Sequence, residues 1–314
     1  MGASPRRIVP ALPILTLRRN KQLSPRRYTS IMRILVTGSS GKLGSALVAK
    51  FAAEHEIVQM DVKAPANEAQ SNIGPVYVGS VTDRTLVEEA MDGVEAVIHC
   101  GAIPSNFPPF NELVHTNVVG TINLLEAAGK SAALRNFLFI STIRVHGVLE
   151  EPNDDFMPKF LPFDESHPYL TIEYYGGSKW QAEHWCRCYV RRFRKPVVVF
   201  RPTMIVPLVR EEKFQAGPAP ERPSLNEYVG TSDVVEAIRL GLSYEPADGF
   251  DVFLLHAEDQ RSTTPSLELA ERWFHGIPTD KEKLSRCDGF GAFVDCSHAQ
   301  ETLGWQARFR CTRR

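Results

Sequence analysis

The chain has no excess of either charge. Its 36 basic and 37 acidic residues leave a formal net charge of −1 at neutral pH. That excludes the basic field of a nucleic-acid binder and the acidity of a solvating tail. No apolar run approaches the roughly 20 residues that cross a bilayer. The stretch from Ile8 to Leu17 is short and holds two prolines, so no membrane partner is expected. Cysteine is sparse: six residues, at positions 100, 186, 188, 287, 296 and 311, with no CxxC pair. Cys186 and Cys188 diverge on a predicted helix. Neither a disulfide framework nor a metal site is legible, and reduced thiols in the cytoplasm fit. Internal repeats and low-complexity tracts are absent too.

What is present is apolar enough for a sizeable core, at 43% of residues. Residues 1–31 stand apart. They hold six arginines and one lysine but no acid, a formal charge of +7. Such a leader resembles an organelle transit peptide. Prolines at 5, 10, 13 and 25 interrupt an amphipathic helix. They favour a disordered extension outside the fold, or an upstream start codon with Met32 as the working initiator.

From Arg33 the pattern alternates. Short apolar runs ("RILVTG", "IVQMDV", "EAVIHCGAI", "NFLFIS", "PVVVFRPTMIV") read as strands buried on both faces. Helical stretches separate them, including "FNELVHTNVVGTINLLEAAGKSA" and "TIEYYGGSKWQAEHWCRCYVRRF". This is an α/β pattern, predicting a Rossmann-type, doubly wound parallel sheet over residues 32–204. Beyond Met204 the rhythm breaks into a Pro-, Gly- and charge-rich segment and shorter elements. Residues 205–314 are expected to form a small substrate-binding lobe interleaved with the sheet.

In "ILVTGSSGKLGSALVAKF", Gly38, Gly41 and Gly44 lie between a buried strand and a helix. Glycine permits the tight turn, and a pyrophosphate can then approach the helix N-terminus. Asp61 closes the next strand. An acid there accepts hydrogen bonds from an adenosine ribose and repels a 2′-phosphate, which points to NAD rather than NADP. In "EYYGGSKW", Tyr175 and Lys179 are four apart and share a helix face. Gly176 and Gly177 between them read as mid-helix glycines, so something is expected to approach the helix there.

These residues resemble the extended short-chain dehydrogenase/reductases, specifically the NAD-dependent epimerase/dehydratase family. The resemblance runs from about Arg33 to Trp305, through "TGSSGKLG", "HCGAI", "NVVGTINLLEAA", "STIRVHG", "YGGSK" and "LGW". It implies an enzyme moving a hydride between NAD and a carbinol carbon of a carbohydrate-like substrate. Tyr175 would be the base, Lys179 its cationic partner and Thr142 the orienting hydroxyl, with Asn117 helping to shape the site. Ser141 rivals Thr142, but adjacent strand residues face opposite ways. Tyr174 lacks a lysine partner. The resemblance further implies cofactor contacts from Gly38, Ser40, Gly41, Lys42, Leu43, Gly44, Asp61, Ser80, Val81, Gly101, Ala102 and Pro202, as well as Tyr175 and Lys179. It is compatible with a homodimer.

Several positions depart from the family pattern. Ile143 and Arg144 stand where dehydratases carry acidic residues, which disfavours water elimination. Met204 and the absence of a following glycine depart from nucleotide-sugar enzymes, Ser80 replaces an acid that contacts adenine, and the segment from Pro207 to Gly230 is short for enclosing a UDP group. The layout is nearer to uronate dehydrogenases and implies a sugar or sugar-acid-like substrate. An NAD-retaining sugar epimerase is the alternative within enzymes. A non-catalytic NAD sensor is the alternative outside them, and such proteins typically lose the tyrosine–lysine pair.

Overall fold

A computed structural model describes residues 31–147 and 157–313. All but the last residue of the basic leader lies outside the described residues. In chain order the elements are β1 (Arg33–Thr37), α1 (Lys42–Phe51), β2 (Glu56–Asp61), α2 (Glu68–Ser71), β3 (Val76–Val78), α3 (Arg84–Ala90) and β4 (Ala96–His99). Then come α4 (Phe110–Val114), a π-helical turn (His115–Val119), α5 (Gly120–Lys130), β5 (Asn136–Ile140) and a 3₁₀ turn (Ile143–His146). There follow α6 (Tyr174–Phe193), β6 (Val197–Pro202), β7 (Ile205–Val206), α7 (Leu208–Glu211), β8 (Val229–Gly230), α8 (Thr231–Leu242) and β9 (Phe250–Leu255). Shorter helices complete the C-terminal part.

The main sheet is seven-stranded and parallel, in the order β3-β2-β1-β4-β5-β6-β9. The apolar runs explain it. Alternate residues of each strand point to opposite faces, and here both faces are covered. Ile34, Val36, Ile98, Leu138, Val198 and Phe200 pack with Leu47 and Phe51 of α1 and Ile238 of α8. Leu35, Val97, Phe137, Phe139, Val197 and Val199 pack with Val87 of α3, Leu124 of α5 and Tyr189 of α6. Chain order reverses between β1 and β4, the switch point beside which open α/β sheets bind ligands.

Three expected boundaries move. The run ending "PTMIV" splits into β6 and β7, because Thr203 donates its amide to Leu255 while Met204 accepts the Val229 amide. The helix expected from Thr171 starts at Tyr174. The long helix expected from Phe110 is continuous but widens into a π turn at His115–Val119. Beyond residue 204, β9 completes the main sheet at its edge.

Candidate active site

Thr37 pairs with His99 across β1 and β4. That register brings the two following loops together. Gly38 adopts a positive φ of 69°, and a Cβ on it would lie 2.8 Å from the Gly101 amide nitrogen. A Cβ on Gly44 would lie 2.0 Å from the Gly38 carbonyl oxygen. The first and third glycines are therefore required by the backbone itself, and together they leave a cradle open at the start of α1.

The loop is braced by Asp61. One carboxylate oxygen accepts the Ser40 amide at 3.0 Å and the other accepts the Lys63 amide at 3.0 Å. The acid thus fixes the glycine turn and still presents lone pairs to the crevice. This bracing is not visible in the sequence, where Asp61 reads only as a ribose partner.

A crevice of about 830 Å³ runs from this loop across the strand ends. That is within the usual range for a ligand site, about 300–1,000 Å³. Every residue expected to touch the cofactor lines it, and so does Thr142. Glu112, Thr116, Ile103 and Pro104 also line it. They come from the loop after β4 and from α4 and the π turn, where no motif marks them. Cys100 lines it as well, but burial pushes its thiol up to about 12, so it stays protonated and unreactive.

Thr142 precedes the 3₁₀ turn as its cap, accepting the Arg144 amide at 3.3 Å. It lines the crevice together with Tyr175, whose phenolate its hydroxyl favours. Burial pushes that phenol up to about 12, while the Arg144 charge and the Thr142 hydroxyl pull the other way. Lys179 is 2% exposed, and burial lowers its ammonium to about 8. The ammonium sits 4.3 Å from the centroid of the Phe139 ring. Ser141 turns inward instead, donating to Glu183 at 2.5 Å. Tyr174 faces out, 55% exposed and packed on Phe110 at 4.6 Å between ring centroids.

Asn117 stands behind the crevice wall rather than on it. Its amide donates to the Ile103 carbonyl at 3.1 Å and to Ser178 Oγ at 3.0 Å, and its carbonyl accepts the Ile103 amide at 2.7 Å. It ties the loop after β4 to α6. A buried histidine extends the tie. Thr121 donates to the Asn117 backbone carbonyl at 2.7 Å, so it accepts from His99 Nε2 at 2.9 Å. His99 Nδ1 then accepts from Thr37 at 2.7 Å, and Thr37 accepts the Gly101 amide at 3.2 Å. Burial, reinforced by the Lys179 charge, holds His99 neutral, well below its ordinary range.

Gly176 and Gly177 lie in the first turn of α6, not its middle. A Cβ on Gly176 would meet the Arg144 carbonyl oxygen at 2.7 Å, so the expected close approach is the 3₁₀ turn. Gly177 has nothing within 4 Å, and no contact requires glycine there. Ile143 is buried, and Arg144 pairs with Glu173 at 3.0 Å. Among the described residues no cluster of His, Cys, Asp and Glu could hold a metal ion, and no helix is long and apolar enough to cross a membrane.

Comparison with known proteins agrees with this geometry. The model of the NAD dependent epimerase/dehydratase family matches residues 34–217. The chain belongs to that family, within the extended short-chain dehydrogenase/reductases, and is an NAD-dependent enzyme. UDP-glucose 4-epimerase of Corynebacterium glutamicum is 26% identical over 309 residues, covering 87% of this chain and 90% of that enzyme. Uronate dehydrogenase of Pseudomonas syringae pv. tomato is 27% identical over 173 residues, covering 55% of this chain and 59% of that enzyme. A short-chain dehydrogenase/reductase superfamily protein from Agrobacterium tumefaciens, solved with bound NAD, shares the fold. Its TM-score is 0.66 at 24% identity, over 88% of this chain and 93% of that one.

Proposed function

We propose that this enzyme oxidises a carbinol carbon of a sugar or sugar-acid-like substrate, with Tyr175 as base, Thr142 as orienting hydroxyl and Lys179 as cation. One observation carries the reading: Thr142, Tyr175 and Lys179 line the same crevice as the glycine loop and Asp61. The residues suit NAD. Gly38, Gly41 and Gly44 present no Cβ to the cradle, Asp61 offers acceptors with no arginine among the described residues lining the crevice, and Lys179 is a buried cation there.

Tyr175 must lose its proton to act as a base, and an isolated phenol with a pKa near 10 does so poorly at neutral pH. Burial makes this harder here, and nearby positive charge makes it easier. When bound, oxidised NAD supplies the hydride acceptor and one such charge. Thr142 and Tyr175 together hold the substrate oxygen, and Tyr175 takes its proton as the C–H bond breaks. Lys179 holds the nicotinamide ribose and favours the phenolate. With Ile143 buried and Arg144 engaged by Glu173, neither position supplies a carboxylate for water elimination.

A second reading is an epimerase that retains its NAD, favoured by the near full-length similarity to a UDP-glucose 4-epimerase. Incubation with NAD and uronates, aldoses or nucleotide sugars separates the two. Stoichiometric NADH released at 340 nm supports net oxidation, whereas an epimer formed without NADH supports the second reading. A cytoplasmic homodimer belongs to the same proposal. Trp180 and Trp185 on α6 are 46% and 44% exposed, apolar surface that a partner helix could cover. Sedimentation velocity tests it.

A further inference from the structure

Beneath the candidate catalytic residues lies an ion pair that the mechanism above does not use. Glu183 and Arg201 have side chains only 2% and 1% exposed. Arg201 Nε donates to Glu183 Oε1 at 3.0 Å, and Nη2 donates to Oε2 at 2.7 Å. Ser141 donates to the same carboxylate at 2.5 Å. The remaining guanidinium nitrogen, Nη1, donates to His146 Nε2 at 3.1 Å, while Nη2 also reaches the Tyr169 hydroxyl at 2.5 Å.

Each partner is next to a residue of the site. Ser141 precedes Thr142. His146 closes the 3₁₀ turn that Thr142 caps. Arg201 precedes Pro202, which lines the crevice. Glu183 lies one helical turn beyond Lys179 and two beyond Tyr175, on the same face of α6. A single carboxylate therefore joins the end of β5, the end of β6 and the helix carrying the tyrosine and lysine. Burying such a pair is costly, and apolar residues of similar volume often stabilise a fold at least as well. Stability alone gives little reason for it.

We propose that Glu183 and Arg201 are positioning residues of the hydride-transfer site, their buried ion pair fixing where Thr142 stands against Tyr175. The proposal rests on the roles assigned above to Thr142 and Tyr175. The phenol is influenced by Thr142 and Arg144 at the 3₁₀ turn and by Glu173, the cap of α6, and Lys179 lines the same crevice. The pair reaches Thr142 through its neighbour Ser141 and through His146 at the far end of the turn that Thr142 caps. If Thr142 moves away from Tyr175, a hydroxyl that favours the phenolate is withdrawn. The acidic limb of the kcat/KM profile then moves to higher pH.

The test replaces both partners, Glu183→Met with Arg201→Met, so that neither charge is left buried alone. Melting temperature, NAD affinity, kcat and the pH profile of kcat/KM are measured beside Tyr175→Phe. The expected result is a native-like melting temperature and unchanged NAD affinity. Turnover falls about 10–100-fold, as for a misplacement approaching 1 Å, and the acidic limb moves up. Wild-type turnover with an unshifted profile overturns the proposal. If the double variant does not fold, Ser141→Ala decides, since it removes one bond to Glu183 and no charge. A smaller fall with the same upward shift supports the proposal, and an unchanged profile overturns it. A fully active Tyr175→Phe enzyme overturns the assigned role of Tyr175, and this inference with it. An impaired Tyr175→Phe enzyme beside an unaffected double variant overturns this inference alone.

Discussion

The ammonium of Lys179 lies over the face of Phe139, 4.3 Å from the ring centroid. A desolvated contact of this kind is worth about 2 kcal/mol and favours the charged form. Burial pulls the other way and sets the lysine at about 8. The charge is present at neutral pH and is lost as pH rises through that value. NAD affinity of the wild type is therefore expected to weaken between pH 7 and 9.5. Lys179→Met is expected to bind NAD about tenfold more weakly at neutral pH, a loss of about 1.4 kcal/mol, with no such pH dependence. Titration calorimetry at several pH values checks both, and a flat wild-type profile counts against a cationic role.

Asp61 is expected to favour NAD over NADP. Asp61→Ala should narrow that preference by one to two orders of magnitude, since a charged hydrogen-bond set is worth about 1.5–3 kcal/mol. The structure adds a second effect. The same carboxylate holds the Ser40 and Lys63 amides, so Asp61→Ala also loosens the glycine loop and weakens both cofactors. Asp61→Asn keeps one acceptor oxygen and should fall between. Equal affinity of the wild type for NAD and NADP would defeat this reading.

The central strands are legible in the sequence because β1, β4, β5 and β6 are buried on both faces and so read as unbroken apolar runs. The glycine loop is legible because its spacing is a backbone requirement, seen in the 2.0 Å approach at Gly44. Other features leave no local trace. The π turn at His115–Val119 carries Asn117, whose side chain bonds Ile103, fourteen residues earlier. Glu183 and Arg201 read as ordinary charges of a helix and a strand, and only folding shows them paired and buried. Gly177 shows the opposite error. It reads as a constrained glycine, yet the space around it is open.

The adjacent glycines of α6 should respond in opposite ways. At Gly176 an added methyl meets the Arg144 backbone at 2.7 Å and Thr171 Oγ1 at 2.4 Å. Gly176→Ala must displace the turn that follows Thr142. It should cost roughly 1–3 kcal/mol, the usual range for overpacking, and reduce turnover as well. Gly177→Ala meets nothing and restricts only the unfolded chain. It should stabilise by about 0.4–1 kcal/mol with turnover unchanged. Urea unfolding of the two variants checks the contrast, and equal destabilisation would show that the start of α6 is packed differently.

Tyr175→Phe removes the proton acceptor and keeps the ring. Folding and NAD binding should survive, and turnover should fall by about 10²–10⁴, the contribution of a positioned acid–base group. Thr142→Ala loses the hydroxyl proposed to orient the substrate oxygen and should impair turnover, while Thr142→Ser keeps it and should be tolerated. Tyr174→Phe is the control, because that ring is 55% exposed and packs on Phe110, away from the crevice. It should change turnover less than twofold, as expected for a surface substitution within about 0.5 kcal/mol. Steady-state NADH formation on whichever uronate, aldose or nucleotide sugar the wild type oxidises measures all four. Loss of activity in Tyr174→Phe but not in Tyr175→Phe would place the helix face one residue out of register. Wild-type turnover in all four would mean that proton transfer from the substrate uses some other group.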